Sequence, residues 1–247
     1  MGTPFFFMSD PARPSCPQRP GHTFALMLQA STLSFLNDLS AHNTREWFQA
    51  NRPAYEAARD DVLSLVDQLI ERILEFDGSL AGVVAKDCLF RINRDTRFSK
   101  NKDPYKTNFG AAMGRGGRRS VFASYYLHID PNGAFLGGGS YMPPGPHLAA
   151  IRQHIDLEAA KLRAATSTKE FRDVYGAMDT EHSLKTAPKG FDKEHPDIDL
   201  LRLKSFTAIR KVEVAELSSP GFLDRAAADF EALSPLIHFL NEALETV

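Results

Sequence analysis

Val121-Phe-Ala-Ser-Tyr-Tyr-Leu-His-Ile-Asp130, then Pro131-Asn132-Gly133, then Ala134-Phe-Leu-Gly-Gly-Gly-Ser-Tyr141 is the stretch that decides the fold. The first segment is dense in aromatic and β-branched residues, which suit a pleated, half-buried surface. Asn132-Gly133 is a strong hairpin signal, because the tightest turns need positive φ. Strands joined by so short a turn pair antiparallel, since a parallel pair needs a long crossover.

Working outward, further strands are predicted on both sides. Val83-Val84, Leu89-Phe90 and Ile92 predict one. Thr107, Phe109 and Ala111 alternate with Asn108, Gly110 and Ala112 and predict another. Phe206 to Val214 resembles a strand. Helical spacing surrounds this block. Leu33, Leu36 and Leu39 mark one face, and Thr44 reads as a new helix start before Trp47-Phe48. A long amphipathic helix is predicted from about 53 to 76, ended by Asp77-Gly78. Leu148, Ile151, Ile155 and Leu162 mark a helix after Pro146, and Ser167 with Glu170 reads as a capping box. Asp199 to Leu203 reads as one or two helical turns. Gly221 to Leu244 reads as a helix that Pro235 should kink or split. Strands then helices, with no alternating crossover pattern, make an α+β fold: an antiparallel meander of about four to five strands packed with N-terminal and C-terminal helices.

The chain has 247 residues, 43% hydrophobic and 24% charged, which suits a soluble globular protein. Residues 1–30 carry Pro4, Pro11, Pro14, Pro17 and Pro20 and read as a disordered or loosely attached tail. Residues 31–247 read as a single α+β domain. Nothing approaches the roughly 18 apolar residues that span a bilayer, so no membrane partner is expected and the chain reads as cytoplasmic. Cys16 and Cys88 are too few for a disulfide framework or a four-cysteine zinc site. No H-E-x-x-H or C-x-x-C pattern occurs, and no metal or cofactor is expected. Cys88 reads as a buried small side chain rather than a nucleophile.

Charge is concentrated. Between Arg91 and Arg119, nine basic residues face only Asp95 and Asp103, giving +7 over 29 residues within a chain of net charge -2. The other 218 residues therefore carry -9. Such a patch attracts anions. Arginine forks suit phosphate and carboxylate, so Arg91, Arg94, Arg97, Lys102 and Lys106 are the anion-binding candidates. Asp95 and Tyr105 are the weak catalytic candidates. Tyr105 sits where it could stack on a base or donate its hydroxyl. Gly137-Gly138-Gly139 before a helix could cradle phosphate but matches no nucleotide fingerprint, and a close strand crossing explains it as well. Tyr126, Gly138, Gly139, Tyr141 and Lys204 complete a candidate pocket.

Arg91-Ile-Asn-Arg94-Asp95-Thr-Arg97-Phe98-Ser-Lys-Asn-Lys102-Asp-Pro104-Tyr105-Lys106 resembles the signature R-x-x-R-D-x-R-F-x-x-x-K-x-P-Y-K of the bacterial and fungal family called domain of unknown function 2461. Asn43-Thr-Arg45-Glu-Trp47-Phe48, Tyr125-Tyr126-Leu-His128 and Leu201-Arg202-Leu203-Lys204-Ser205-Phe206 extend the resemblance over about residues 31–245. The resemblance implies no activity or substrate. Three readings of the basic motif stand: a site for a phosphorylated or other anionic small molecule, in an enzyme or a binding protein; a nucleic-acid or polyanion surface with Phe98, Tyr105 or Phe122 for stacking; and a structural arginine–carboxylate network.

Overall fold

A computed structural model describes residues 27–247. The tail read from residues 1–30 lies outside the described residues as far as position 26. Its last residues are not loose: Leu28 is buried, its N–H donates to Leu217 O at 3.2 Å, and Ser218 Oγ donates to Leu28 O at 2.7 Å.

The elements run α1 (Ala30–Ala41), α2 (Arg45–Ala50), α3 (Arg52–Ile73), α4 (Ala85–Cys88), β1 (Phe109–Met113), β2 (Ser124–Ile129), β3 (Ala134–Ser140), α5 (Gly145–Ala165), α6 (Lys169–Tyr175), α7 (Ile198–Leu201), β4 (Phe206–Val212), α8 (Val214–Leu217) and α9 (Phe222–Leu244). The four strands form one antiparallel sheet in the order β1-β2-β3-β4. The fold is α+β.

The strand predicted around Val83 to Ile92 does not form. Asp77 accepts from Ser79 N and caps a short 3-10 turn, and Asp67 Oδ1 accepts from Ala85 N at 3.1 Å at the head of α4. Side chains thus satisfy backbone donors that a strand would have needed in a ladder. Only single bridges remain, Leu89 with Ala111 and Asn93 with Tyr105. At α6 the cap is Thr168, whose side chain accepts from Phe171 N, rather than the predicted Ser167.

One sheet face is packed. Phe109, Ala111, Met113, Tyr125, Leu127, Ile129, Leu136, Phe206 and Ala208 point into the core. There α9 lies along β2 and β3, while α3 bridges α9 and β1. Gly138 fits closely between β2 and α9: a Cβ there would overlap the Ser124 carbonyl and sit 2.8 Å from Leu233 Cδ2. The helix α9 runs unbroken through Pro235. Proline removes the donor owed to Glu231 O, and Ser234 Oγ fills the vacancy by donating to that oxygen at 2.8 Å. The predicted split is thereby avoided.

A buried polar knot joins the layers. Tyr125 Oη donates to Asp77 Oδ2 at 2.8 Å, with His238 Nε2 3.6 Å away. Burial alone would raise the Asp77 carboxyl, but hydrogen bonds from Ser79 and Tyr125, with His238, outweigh it and hold it below the usual range. A depressed carboxyl contributes stability that is complete above the unfolded pKa of about 3.9 and is lost as pH falls through the folded value. In Asp77→Asn, urea unfolding therefore shows a weaker loss of stability below about pH 4 than in the wild type. An unchanged slope refutes this assignment.

Candidate functional site

The basic motif folds on itself. Arg94 N donates to Pro104 O at 2.9 Å and Lys106 N to Ile92 O at 2.8 Å. Asn43 anchors this loop to the helices: its Nδ2 donates to Tyr105 O at 3.0 Å and its Oδ1 accepts from Tyr105 N at 3.1 Å. The Tyr105 ring stacks on Phe48 with centroids 3.9 Å apart and is only 5% exposed. Tyr105 is thus part of the core, unavailable to stack on a base or to reach a solvent-borne anion.

The arginines do not share a cradle. Arg97 forks onto Asp95, with Nε at 3.0 Å and Nη2 at 2.7 Å, and both side chains are exposed. The hydrogen bonds to Arg97 hold the Asp95 carboxyl below its usual range, so it stays an ionised partner and no proton donor. Arg94 donates to Asp103 O and Ser99 Oγ. Lys102 Nζ donates to Thr96 O at 3.0 Å. Arg91 is exposed. These bonds stay within the loop, and the Asp95–Arg97 pair does not tie the sheet to the acidic helices as the network reading required.

Lys106 is different. It lies just before β1, in which Phe109, Ala111 and Met113 face the core and the strand period of two turns Gly110 and Ala112 to the other face, and with Asn108 and Gly110 it lines a cavity there. Among the described residues, no α-helix contributes to the cavities on that face. Across it run two registers: Ala112, Tyr126, Gly137 and Ile209; and Ser124, Gly139 and Thr207. The small floor leaves a groove of about 760 Å³, walled by Phe90, Phe122, Tyr126, Phe135, Tyr141 and Pro143. Its size falls in the usual range for a small-molecule site. Arg118, Arg119 and Asp179 stand on its rim. A polar pocket of about 180 Å³ adjoins it, lined by Phe90, Lys106, Asn108, Gly110 and Tyr126. Phe90 and Tyr126 belong to both cavities.

Local chemistry shapes that pocket. Lys106 Nζ lies 5.4 Å from the Phe90 ring centroid. Burial, and then the charge of Arg91, lower its ammonium below the ordinary lysine value. Burial also raises the Tyr126 hydroxyl, which stays protonated and can donate. Gly110 lies beneath it, and a Cβ there would overlap Tyr126 Oη and displace the hydroxyl.

Of the residues singled out in the sequence, Lys106, Tyr126, Gly138, Gly139 and Tyr141 line these cavities. Arg91, Arg94, Arg97, Lys102 and Lys204 line neither. Asn108, Phe90, Phe135, Arg118 and Arg119 were not singled out for the pocket. The alternation from 107 to 112 held the signal for Asn108, since residues on the face opposite the apolar ones must look out of the core. Cys88 is fully buried, and burial pushes its thiol up to about 11, which rules it out as a ready nucleophile. Among the described residues there is no cluster of three or more His, Cys, Asp or Glu placed to hold a metal ion. No described helix is long and apolar enough to cross a membrane.

These features define an α+β protein with a helix-backed antiparallel meander and an open groove on its bare face. Residues 31–239 match the family model described as Conserved hypothetical protein (DUF2461), and the chain belongs to that family. No curated protein and no solved structure matches the chain.

The groove floor yields a stability test. Gly139 has φ +120°, and a Cβ there would collide with the Phe206 carbonyl on β4. Gly139→Ala is expected to cost at least about 2 kcal/mol and to lower the thermal midpoint by at least about 4 °C. A midpoint within a degree of wild type contradicts this.

Proposed function

We propose that this protein binds a small anionic molecule with an apolar body on the bare face of its sheet. The observation that carries the reading is the meeting of Lys106, Asn108 and Tyr126 at a polar pocket that opens beside the aromatic-walled groove. An ammonium, an amide and a phenolic hydroxyl together supply the donors that a carboxylate or phosphate oxygen accepts. The groove takes the apolar remainder.

The test is thermal denaturation with nucleotides, sugar phosphates, aryl phosphates and aryl carboxylates, using wild type, Lys106→Gln and Ala112→Phe. Ala112 lies at the floor of the groove, so phenylalanine fills it. A ligand at about 100 times its Kd stabilises by about 2.7 kcal/mol. The expected outcome is a shift in wild type that both folded variants lose. Affinity should also fall at high pH as Lys106 deprotonates, with the midpoint below the ordinary lysine value of about 10.4. No shift with any anion, or shifts that survive in both variants, defeats the reading.

A second reading has one observation in its favour. Phe98 is 95% exposed, with Arg97 5.8 Å from its ring centroid and Lys100 and Lys102 nearby in sequence. An exposed aromatic among cations is the arrangement that stacks on single-stranded bases. This reading requires oligonucleotide affinity that drops steeply with salt and is weakened by Phe98→Ala but not by Ala112→Phe.

A further inference from the structure

The groove has a second basic end. Arg118 and Arg119 lie just beyond β1, past Gly114, and both line the groove. Arg118 is held in place: its Nη1 donates to Lys86 O at 2.9 Å and to Asp87 O at 2.7 Å at the end of α4. Glycine permits this. Gly117 has φ +69°, and a Cβ there would lie 2.7 Å from Asp87 O. The turn is thereby pressed onto α4 and its arginines are presented at the rim. Arg119 is exposed and has no ion pair among the described residues. Arg115, by contrast, is spent on Glu245 at 2.8 Å and on the Phe122 ring.

The polar pocket marks the other end, where Tyr126 Oη lies over Gly110. Gly110 to Gly114 spans four residues of strand, about 13 Å at roughly 3.3 Å per residue. Between the ends the walls are Phe90, Phe122 and Tyr126, all apolar or aromatic. The carboxylate on the rim, Asp179, stands on the β4 side, where its N–H donates to Thr207 O at 2.7 Å. Negative charge is therefore repelled from the β4 flank and attracted at both ends of the β1 flank.

We infer that the ligand is an elongated dianion lying along β1, one anionic group at Lys106, Asn108 and Tyr126 and the other at Arg118 and Arg119, separated by an apolar spacer of about 13 Å. This rests on the binding reading above and adds the second charge and the length.

Calorimetric titration with dodecanedioate, dodecanoate and hexanedioate tests it in wild type, Arg118→Gln and Arg119→Gln. Dodecanoate offers one charge on the same spacer, and hexanedioate offers two charges too close together. The expected result is that dodecanedioate binds about tenfold more tightly than either, the worth of one charge-assisted hydrogen bond. At least one arginine variant should bring it down to the affinity of dodecanoate, whose own binding should not change. Equal affinity for dodecanedioate and dodecanoate, or an advantage kept in both variants, overturns the second subsite while leaving the Lys106 pocket standing. Binding of neither overturns it too, and the Lys106 pocket is then judged by the anion panel with Lys106→Gln. Circular dichroism confirms that each variant is folded.

Discussion

The polar pocket on the bare face of the sheet is built beside one anchored residue, Tyr105. Its backbone is bonded in both directions by the amide of Asn43, and its ring lies flat on Phe48. Tyr105 thereby fixes the end of the basic loop against the helices, and the chain runs on through Lys106 and Asn108 into β1, where Phe109, Ala111 and Met113 face the core and Gly110 and Ala112 the other side.

Glycines do the complementary work from both sides of the sheet. At Gly138 the absent side chain admits the Ser124 carbonyl of β2 and leaves room for Leu233 of α9. At Gly139 it admits the Phe206 carbonyl of β4. On the outward face Gly137 and Gly139 leave the floor low, so the flanking aromatics become walls. The same run of three residues thus tightens the core and hollows the surface. A phosphate cradle at a helix start would use the backbone donors of this run differently, since here they belong to strand pairing with β2 and β4.

Much of the fold was legible. The Asn132-Gly133 turn and the aromatic strand before it specify a local hairpin, and the stripes of α3 and α9 follow from helical spacing. The strand expected near Val83 was misread because its apolar residues fit either state; Asp67 and Asp77, distant or just outside the run, decide for turns. At Pro235 the helix is not split, and the residue beside it, Ser234, donates to the carbonyl that proline leaves without a partner. The candidate site was legible in part. Charge density drew attention to 91–106, yet a charged loop that satisfies its own arginines looks the same in sequence as one that offers them to a ligand. Lys106 differs from its neighbours in lining the pocket beside β1, which nothing local in the motif marks. Phe90, Phe135 and Arg119 reach the groove through tertiary placement, and no local pattern marks them.

The sheet order has a consequence for how the chain folds. The β1–β2 and β2–β3 pairs join neighbours in sequence and can close early, since short loops cost little entropy. Ser140 pairs with Phe206 although all of α5 to α7 intervenes. Pairing that distant closes a long loop and is intrinsically slow. Until β4 arrives, β3 presents an open edge bearing Gly137, Gly138 and Gly139, a stretch with almost no side chains to discourage another chain from pairing there. The feature that makes room for a ligand in the finished protein is therefore also the one most exposed to misassembly while the protein is being made.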